Sequence, residues 1–270
     1  MKAAPLPTRI VEVTAANIGE HPQAICFINP KHEHFQHKVD WLKQQFKNGL
    51  KIKLLYPAGE KRAAGFIEYV PGEFCWRAVK AKGYMFIHCL WTTGKPLQHK
   101  GLGAELIRAV EAEAKSMLGV CVLASDKSFM ARKDIFLKLG YRVAAESGSE
   151  QLLVKQFKAG PLPLFNEQRE GLAGHRELAL IFSRQCPWVA RFIHEVQPIL
   201  KKLKLAPAII ELKTPAQAQG APSVYGVFNL VCGGRILADR YVSTTRFLNI
   251  MKAAGLGAAA RPKRKGNKKA

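Results

Sequence analysis

The apolar positions of this chain change period along its length, and each change marks a new element. Residues 8–13 read as a short strand. Phe35, Val39, Leu42 and Phe46 recur at i, i+4, i+7 and i+11, one face of an amphipathic helix. Residues 50–56 and 64–70 read as strands, joined as a hairpin around Pro57-Ala58-Gly59. Residues 84–92 alternate as a strand, with Tyr84, Phe86, His88 and Leu90 on one face and Met85, Ile87, Cys89 and Trp91 on the other. A helix is expected over about 102–118, with Leu102, Leu106, Val110, Ala114 and Met117 on one face and Glu111 and Lys115 as an i,i+4 ion pair. Then come a buried-type strand over 120–124, a short helix over 131–139 stopped by Gly140, and strands over 141–145 and 151–157.

Clustered Gly and Pro over 158–176 read as a linker. The pattern beyond it is a strand over 178–183, a helix over about 188–204 and a strand over 208–212. A strand over 223–231, a Gly233-Gly234 turn, a strand over 235–242 and a helix capped by Ser243 complete it. The expected organisation is a first domain over 1–157, a linker over 158–176, a second domain over 177–257 and a basic disordered tail over 258–270.

The whole chain has 270 residues, 48% of them apolar, enough for a sizeable core. No uncharged apolar run is long enough for a membrane-spanning helix, and residues 1–7 hold no secretory-type apolar segment. Six cysteines without a CxxC pair argue against a disulfide scaffold and a zinc ribbon, so a soluble cytoplasmic protein with reduced thiols is expected. The net charge is +22. Six of the basic residues fall within 261–270, leaving +16 elsewhere and implying an anionic partner: a phosphorylated cofactor or a nucleic acid.

The segment carrying the chemistry is Gln98-His99-Lys100-Gly101-Leu102-Gly103-Ala104, between a strand and an amphipathic helix. A helix N-terminus offers unpaired N–H groups and the positive end of a dipole, and glycine lets a phosphate come close. The residues alone therefore read as a pyrophosphate cradle, with a plain structural turn as the other possibility. No Gly-Lys-Ser/Thr follows, which excludes a Walker loop, and the spacing is wrong for a dinucleotide fingerprint. Gln98, Gly101 and Gly103 fit Gln/Arg-x-x-Gly-x-Gly/Ala, and Asp134-Ile135-Phe136-Leu137-Lys138-Leu139-Gly140-Tyr141 is a short helix ending in Gly-Tyr before a strand. In both features, and in element order over about 8–157, the chain resembles the GNAT superfamily of acetyl-CoA-dependent N-acetyltransferases.

That resemblance implies an α/β chain whose first domain is an α+β GNAT fold around a central mixed sheet. It implies acetyl-CoA as the cofactor. The N–H groups from Lys100 through Gly101, Leu102 and Gly103 to Ala104, flanked by Gln98 and His99, would hold the pyrophosphate. Leu90, Trp91 and Thr92 would meet the pantetheine arm, and Arg132 or Lys133 the 3′-phosphate. Phe136, on the coenzyme side, stands where many members carry a tyrosine that protonates the leaving thiolate. An amine acceptor must also lose a proton. Glu68, Glu73 and His88 are the candidate bases, with Glu68 and His88 preferred, and Trp76 and Arg77 are candidates for shaping the acceptor pocket.

Two further clusters stand out. His32-Glu33-His34-Phe35-Gln36-His37 fits a shared metal ion, a polar acceptor-pocket rim or a solvated helix start, and no metal ligand is assigned from it. Cys186, opening a helix, has a thiolate favoured by the dipole, and Ala221-Pro222-Ser223 could hold a cis proline. In this order the second domain resembles a smaller thioredoxin-like α/β domain, and the two together resemble the YoaP-like acetyltransferases. The expected function is direct acetyl transfer to an amine of unknown identity. The alternatives are a non-catalytic acyl-CoA-binding regulator and a monothiol redox or metalloid-binding protein using Cys186. No membrane partner is expected, and the basic tail is either a solvated end or a weak, salt-dependent nucleic-acid contact.

Overall fold

The computed structural model describes residues 7–92, 101–126, 130–166, 172 and 174–257. Gln98, His99 and Lys100 of the glycine-containing segment lie outside them, as does the basic tail from 258. Strands β1 (Thr8–Val13), β2 (Lys51–Pro57) and β3 (Gly65–Pro71) form an antiparallel meander, with helix α1 (His34–Phe46) between the first two. After a two-residue strand β4 (Val79–Lys80), β5 (Tyr84–Thr92) pairs antiparallel with β3. Helix α2 (Leu102–Glu113) then crosses over to β6 (Gly119–Ser125), which is parallel to β5. Helix α3 (Lys133–Lys138) and the hairpin β7 (Arg142–Ser147) and β8 (Glu150–Gln156) complete a seven-stranded mixed sheet of order β1-β2-β3-β5-β6-β8-β7.

The crossover helix ends earlier than its apolar spacing predicts. Beyond Glu113 the chain tightens into a 3₁₀ turn over Ala114–Ser116, so Lys115 leaves the α-helical register. Glu111 pairs instead with Lys155 of β8 at 2.9 Å.

The second unit is a four-stranded sheet of order β11-β10-β12-β13. It runs β10 (Ala179–Phe182), α4 (Pro187–Glu195), α5 (Gln197–Lys202), β11 (Ala208–Glu211), α6 (Pro215–Gln219), β12 (Phe228–Cys232), β13 (Arg235–Ala238) and α7 (Thr244–Ala253). β11 is parallel to β10, while β12 and β13 are antiparallel to their neighbours. The helix expected over 188–204 is divided at Val196, because Pro198 has no N–H to continue the first ladder and starts the second helix instead. The strand expected over 223–231 begins only at Phe228. Ser223–Gly226 form a turn before it, in which Asn229 Oδ1 accepts the Ser223 N–H. The described residues contain no cis peptide, so the Ala221–Pro222 bond is trans.

The two units share one core. Phe66, Val70, Trp76 and Phe86 of the first pack in the same cluster as Ile181, Leu212, Val224 and Val231 of the second. On the other face of the large sheet, Ile67, Ile87, Leu106, Val110 and Phe136 form a separate layer beneath α2 and α3. Within the segment read as a linker, β9 (Leu164–Phe165) pairs with β4, and Asn166 donates to the Gln219 carbonyl. Arg240 reaches back to Glu150 at 2.7 Å, both side chains buried.

Candidate active site

Gly101 stands at the N-cap of α2 with φ of +83°, the left-handed region that glycine enters without penalty. Glu105 N–H closes the first turn on the Gly101 carbonyl at 3.0 Å. The N–H groups of Leu102, Gly103 and Ala104 therefore precede the helical ladder and point out of the N-terminus. A Cβ at Gly103 would lie 2.9 Å from Ile135 Cδ1, so glycine there lets α2 sit against α3. The same point lies 3.8 Å from Thr92 Cγ2 and 3.9 Å from Leu90 Cδ2, which places the helix N-terminus against the end of β5.

That end of β5 is open on one side. Its parallel pairing with β6 runs from Tyr84 opposite Gly119 to Ile87 opposite Val122 and stops. β5 continues along β3 to Thr92, while β6 continues along β8 to Ser125 and bridges to Ala131. The divergence coincides with a bulge in which Glu68 opposes Cys89, Tyr69 opposes Ile87, and His88 is the extra residue. The bulge corrects the strict alternation expected for this strand. Cys89 and Trp91 share the face of Phe86 and line the same cavity as His88, while Leu90 packs toward α2.

The cavity has a volume of about 350 Å³ and is built by both units. The first contributes Glu68, Arg77, His88, Cys26 and Cys89, and the second contributes Gln185, Cys186, Trp188, Tyr225 and Tyr241. Glu68 is 1% exposed and fully engaged. Its Oε2 accepts Lys38 Nζ at 2.8 Å, and its Oε1 accepts Gln185 Nε2 at 3.0 Å and faces His88 Nδ1 at 3.2 Å. Burial alone would raise the Glu68 pKa, but the Lys38 ammonium and the His88 contact outweigh it and hold the carboxyl well below its usual range. His88 Nε2 accepts the Trp76 N–H at 2.8 Å, which leaves its proton on Nδ1. Burial outweighs the pull of Glu68 and lowers the His88 pKa to about 4.

Arg77 donates to the Trp76 carbonyl at 2.8 Å, to Gln185 Oε1 at 2.5 Å and to the His88 carbonyl at 3.1 Å, and lies over the Tyr225 ring. It has no ion-paired carboxylate among the described residues. Gln185 thus reads two opposite charges at once, its oxygen on Arg77 and its nitrogen on Glu68. Nothing in the sequence spacing brings Lys38, Glu68, Arg77 and Gln185 together, because they come from four separate elements or loops. Sequence reasoning missed Lys38 and Gln185 for that reason.

The remaining expected site residues divide. Lys133 opens α3 with its Nζ 3.4 Å from Asp126, and Arg132 pairs with Asp134 at 2.9 Å. Phe136 is corrected from a coenzyme-facing position to a core one: it has no exposed surface and packs edge-on to Tyr141. Glu73 lies away from the cavity, its Oε1 accepting the Gly83 N–H. Cys186 does cap α4 and lines the cavity, but burial raises its pKa against the pull of the Val189 and Trp188 N–H groups, so the thiolate is disfavoured. The Cys26 and Cys89 thiols hydrogen-bond one another, which pushes Cys26 up and Cys89 down.

No family model matches the chain. Among solved structures, similarity extends to a GNAT-family acetyltransferase from Staphylococcus aureus Mu50, at 14% identity and a TM-score of 0.42 over 56% of this chain and 100% of that one. It extends also to the PaiA N-acetyltransferase of Thermoplasma acidophilum in complex with coenzyme A, at 12% identity and a TM-score of 0.40 over 56% and 99%. The chain is 24% identical, over 89% of its length and 97% of the other's, to YoaP of Bacillus subtilis (strain 168), described as an uncharacterized N-acetyltransferase.

Proposed function

We propose that this protein is an acyltransferase of the GNAT type, which moves an acetyl group from acetyl-CoA to the amine of a small acceptor held in the cavity between the two units. The observation that carries the reading is the meeting of a glycine-opened helix N-terminus with the unpaired end of β5, whose Leu90 and Trp91 also line the cavity. The similarity to YoaP over nearly the whole chain supports it.

The residues fit the coenzyme. The free N–H groups of Leu102, Gly103 and Ala104 suit a pyrophosphate, and nothing lies within 4 Å of the Cβ position of Gly101 to obstruct it. Gln98, His99 and Lys100 would complete that cradle, with Lys133 adding positive charge. Leu90, Trp91 and Thr92 offer open strand backbone to the pantetheine amides. Bound there, the coenzyme supplies an activated acetyl thioester.

On the acceptor side, Glu68 and His88 are read as positioning groups rather than bases. A carboxylate stabilised by Lys38 and Gln185 is a poor proton acceptor, and the His88 Nε2 lone pair is taken by Trp76. The acceptor amine loses its proton to water, and Glu68, backed by Lys38, holds His88 and Gln185 in register at the cavity wall. Arg77, cationic and without a carboxylate partner among the described residues, selects an acceptor carrying an anionic group of its own, as a small amino acid does.

The second unit is read as thioredoxin-like, on its strand order with β10 parallel to β11 and the β12–β13 hairpin beyond. Here it closes a cavity instead of running dithiol exchange, because Val189 stands at the partner-cysteine position and is buried. No described helix is long and apolar enough to cross a membrane, and the six free cysteines suit a reducing compartment such as the cytoplasm.

The test is a calorimetric titration with acetyl-CoA, on the wild type and on Gly101→Glu, followed by an acceptor screen read by coenzyme A release. Saturable binding lost in the variant is the expected result. A folded wild type that does not bind acetyl-CoA would overturn the reading. Binding without product on any amine would favour the acyl-CoA-binding regulator, a role consistent with the buried Phe136.

A further inference from the structure

The histidine-rich segment at the start of α1 meets the second unit at a point the cavity does not use. Glu33 Oε1 lies 3.2 Å from His34 Nε2 and 3.0 Å from Nδ1 of His194, near the C-terminal end of α4. One donor atom from each of the three residues lies within 4.8 Å of the others. A tetrahedral ion bound at about 2.0–2.2 Å to nitrogen and oxygen spaces its donors by roughly 3.3–3.6 Å, so little adjustment is needed to admit one.

We infer that Glu33, His34 and His194 form a binding site for a borderline divalent metal ion, with Zn²⁺ as the type, which joins α1 of the first unit to α4 of the second. Two imidazoles and a carboxylate are a donor set suited to Zn²⁺ and unsuited to Mg²⁺ or Ca²⁺.

The state of His34 is the second observation. It is 6% exposed, and its Nε2 is buried without a hydrogen bond among the described residues. Its other nitrogen lies 3.4 Å from His37 Nδ1; with His34 as the donor in that contact, the Nε2 lone pair is left facing Glu33. A hydrogen bond on the far nitrogen is what orients a metal-binding imidazole. Glu33 and His194 are exposed, which gives an ion a path from solvent.

His194 is eight residues beyond Cys186, about 12 Å along the helix from the cavity wall. The site is therefore a clamp on the contact between the units rather than part of the acceptor chemistry, and it stands or falls independently of the acyltransferase reading. The sequence pattern pointed to the 32–37 segment alone, whereas the third donor beside Glu33 and His34 comes from a helix 160 residues on.

The experiment uses the untagged full chain, stripped with chelator and titrated with ZnCl₂. Expected are one equivalent of Zn²⁺, a higher Tm on loading, and affinity weaker by at least about tenfold in His194→Ala and in Glu33→Gln, with the Tm response lost. Both substituted side chains are exposed, so the variants keep the fold. Co²⁺ in place of Zn²⁺ is expected to give visible d–d absorption without a thiolate charge-transfer band. Wild type and His194→Ala binding Zn²⁺ equally would overturn the proposal, as would thiolate absorption, loss of binding in Cys89→Ser alone, or no binding at all.

Discussion

At the scale of single residues, the site holds its charges tightly enough to make them measurable. Because Lys38 and Gln185 stabilise the Glu68 carboxylate and Trp76 takes the His88 Nε2 lone pair, the pH profile of kcat/KM is expected to follow the acceptor. Two acceptors of different amine pKa should give rising limbs displaced by that difference, and a limb that stays fixed between them would return the base role to the protein. His88 titrates at about 4 in the fold against about 6.5 when unfolded. The unfolded chain therefore binds the extra proton first, and stability gained from a neutral His88 is complete above about pH 6.5 and falls as the pH drops toward 4. Chemical denaturation across that window is expected to show this slope in the wild type and a shallower one in His88→Asn. Gly101→Ala, strained by its left-handed backbone but unobstructed, is expected to cost about 1 kcal/mol and to keep acetyl-CoA binding.

At the scale of elements, most of the fold was legible before the coordinates. The period of Phe35, Val39, Leu42 and Phe46 located α1, and the alternation over 50–56 and 64–70 located the β2–β3 hairpin. What sequence could not give was the bulge at His88, since a one-residue shift leaves the apolar pattern of Tyr84, Phe86 and Ile87 intact and acts only where β3 is laid alongside. It also could not give the composition of the cavity, because Gln185 meets Glu68 across 117 residues of chain. The break at Val196 was written in Pro198, and α6 in its capping box, where Thr214 and Gln217 satisfy each other's backbone N–H groups. Thr214→Ala is expected to lower stability by about 1 kcal/mol, seen as a lower urea midpoint with unchanged m. The effect passes into the first unit, because Gln219 of α6 donates to the carbonyls of Glu73 and Cys75.

At the scale of the molecule, two sheets behave as one cooperative body. Gly226 shows how closely they fit: its φ is +77°, and a Cβ there would stand 3.0 Å from the Trp76 carbonyl oxygen of the other unit. The full chain is expected to unfold in a single transition by fluorescence and far-ultraviolet circular dichroism alike. Gly226→Ala is expected to shift that transition down by more than the roughly 1 kcal/mol of backbone strain alone, because the two units must move apart. Two separated transitions would show that the shared core is not energetically shared.

The cavity wall runs in sequence from Cys26 to Tyr241, and this fixes when the pocket can exist during synthesis. A ribosome adds residues one at a time, and the large sheet can assemble once β8 has emerged. Until Gln185 follows, Glu68 and Arg77 lack the amide that spans them, and until Tyr225 and Tyr241 follow, the pocket lacks a side. A nascent chain stalled before Tyr241 therefore carries the opened end of β5 and α2 without a complete cavity. Completion of the chain through Tyr241 is in effect the event that closes the chamber.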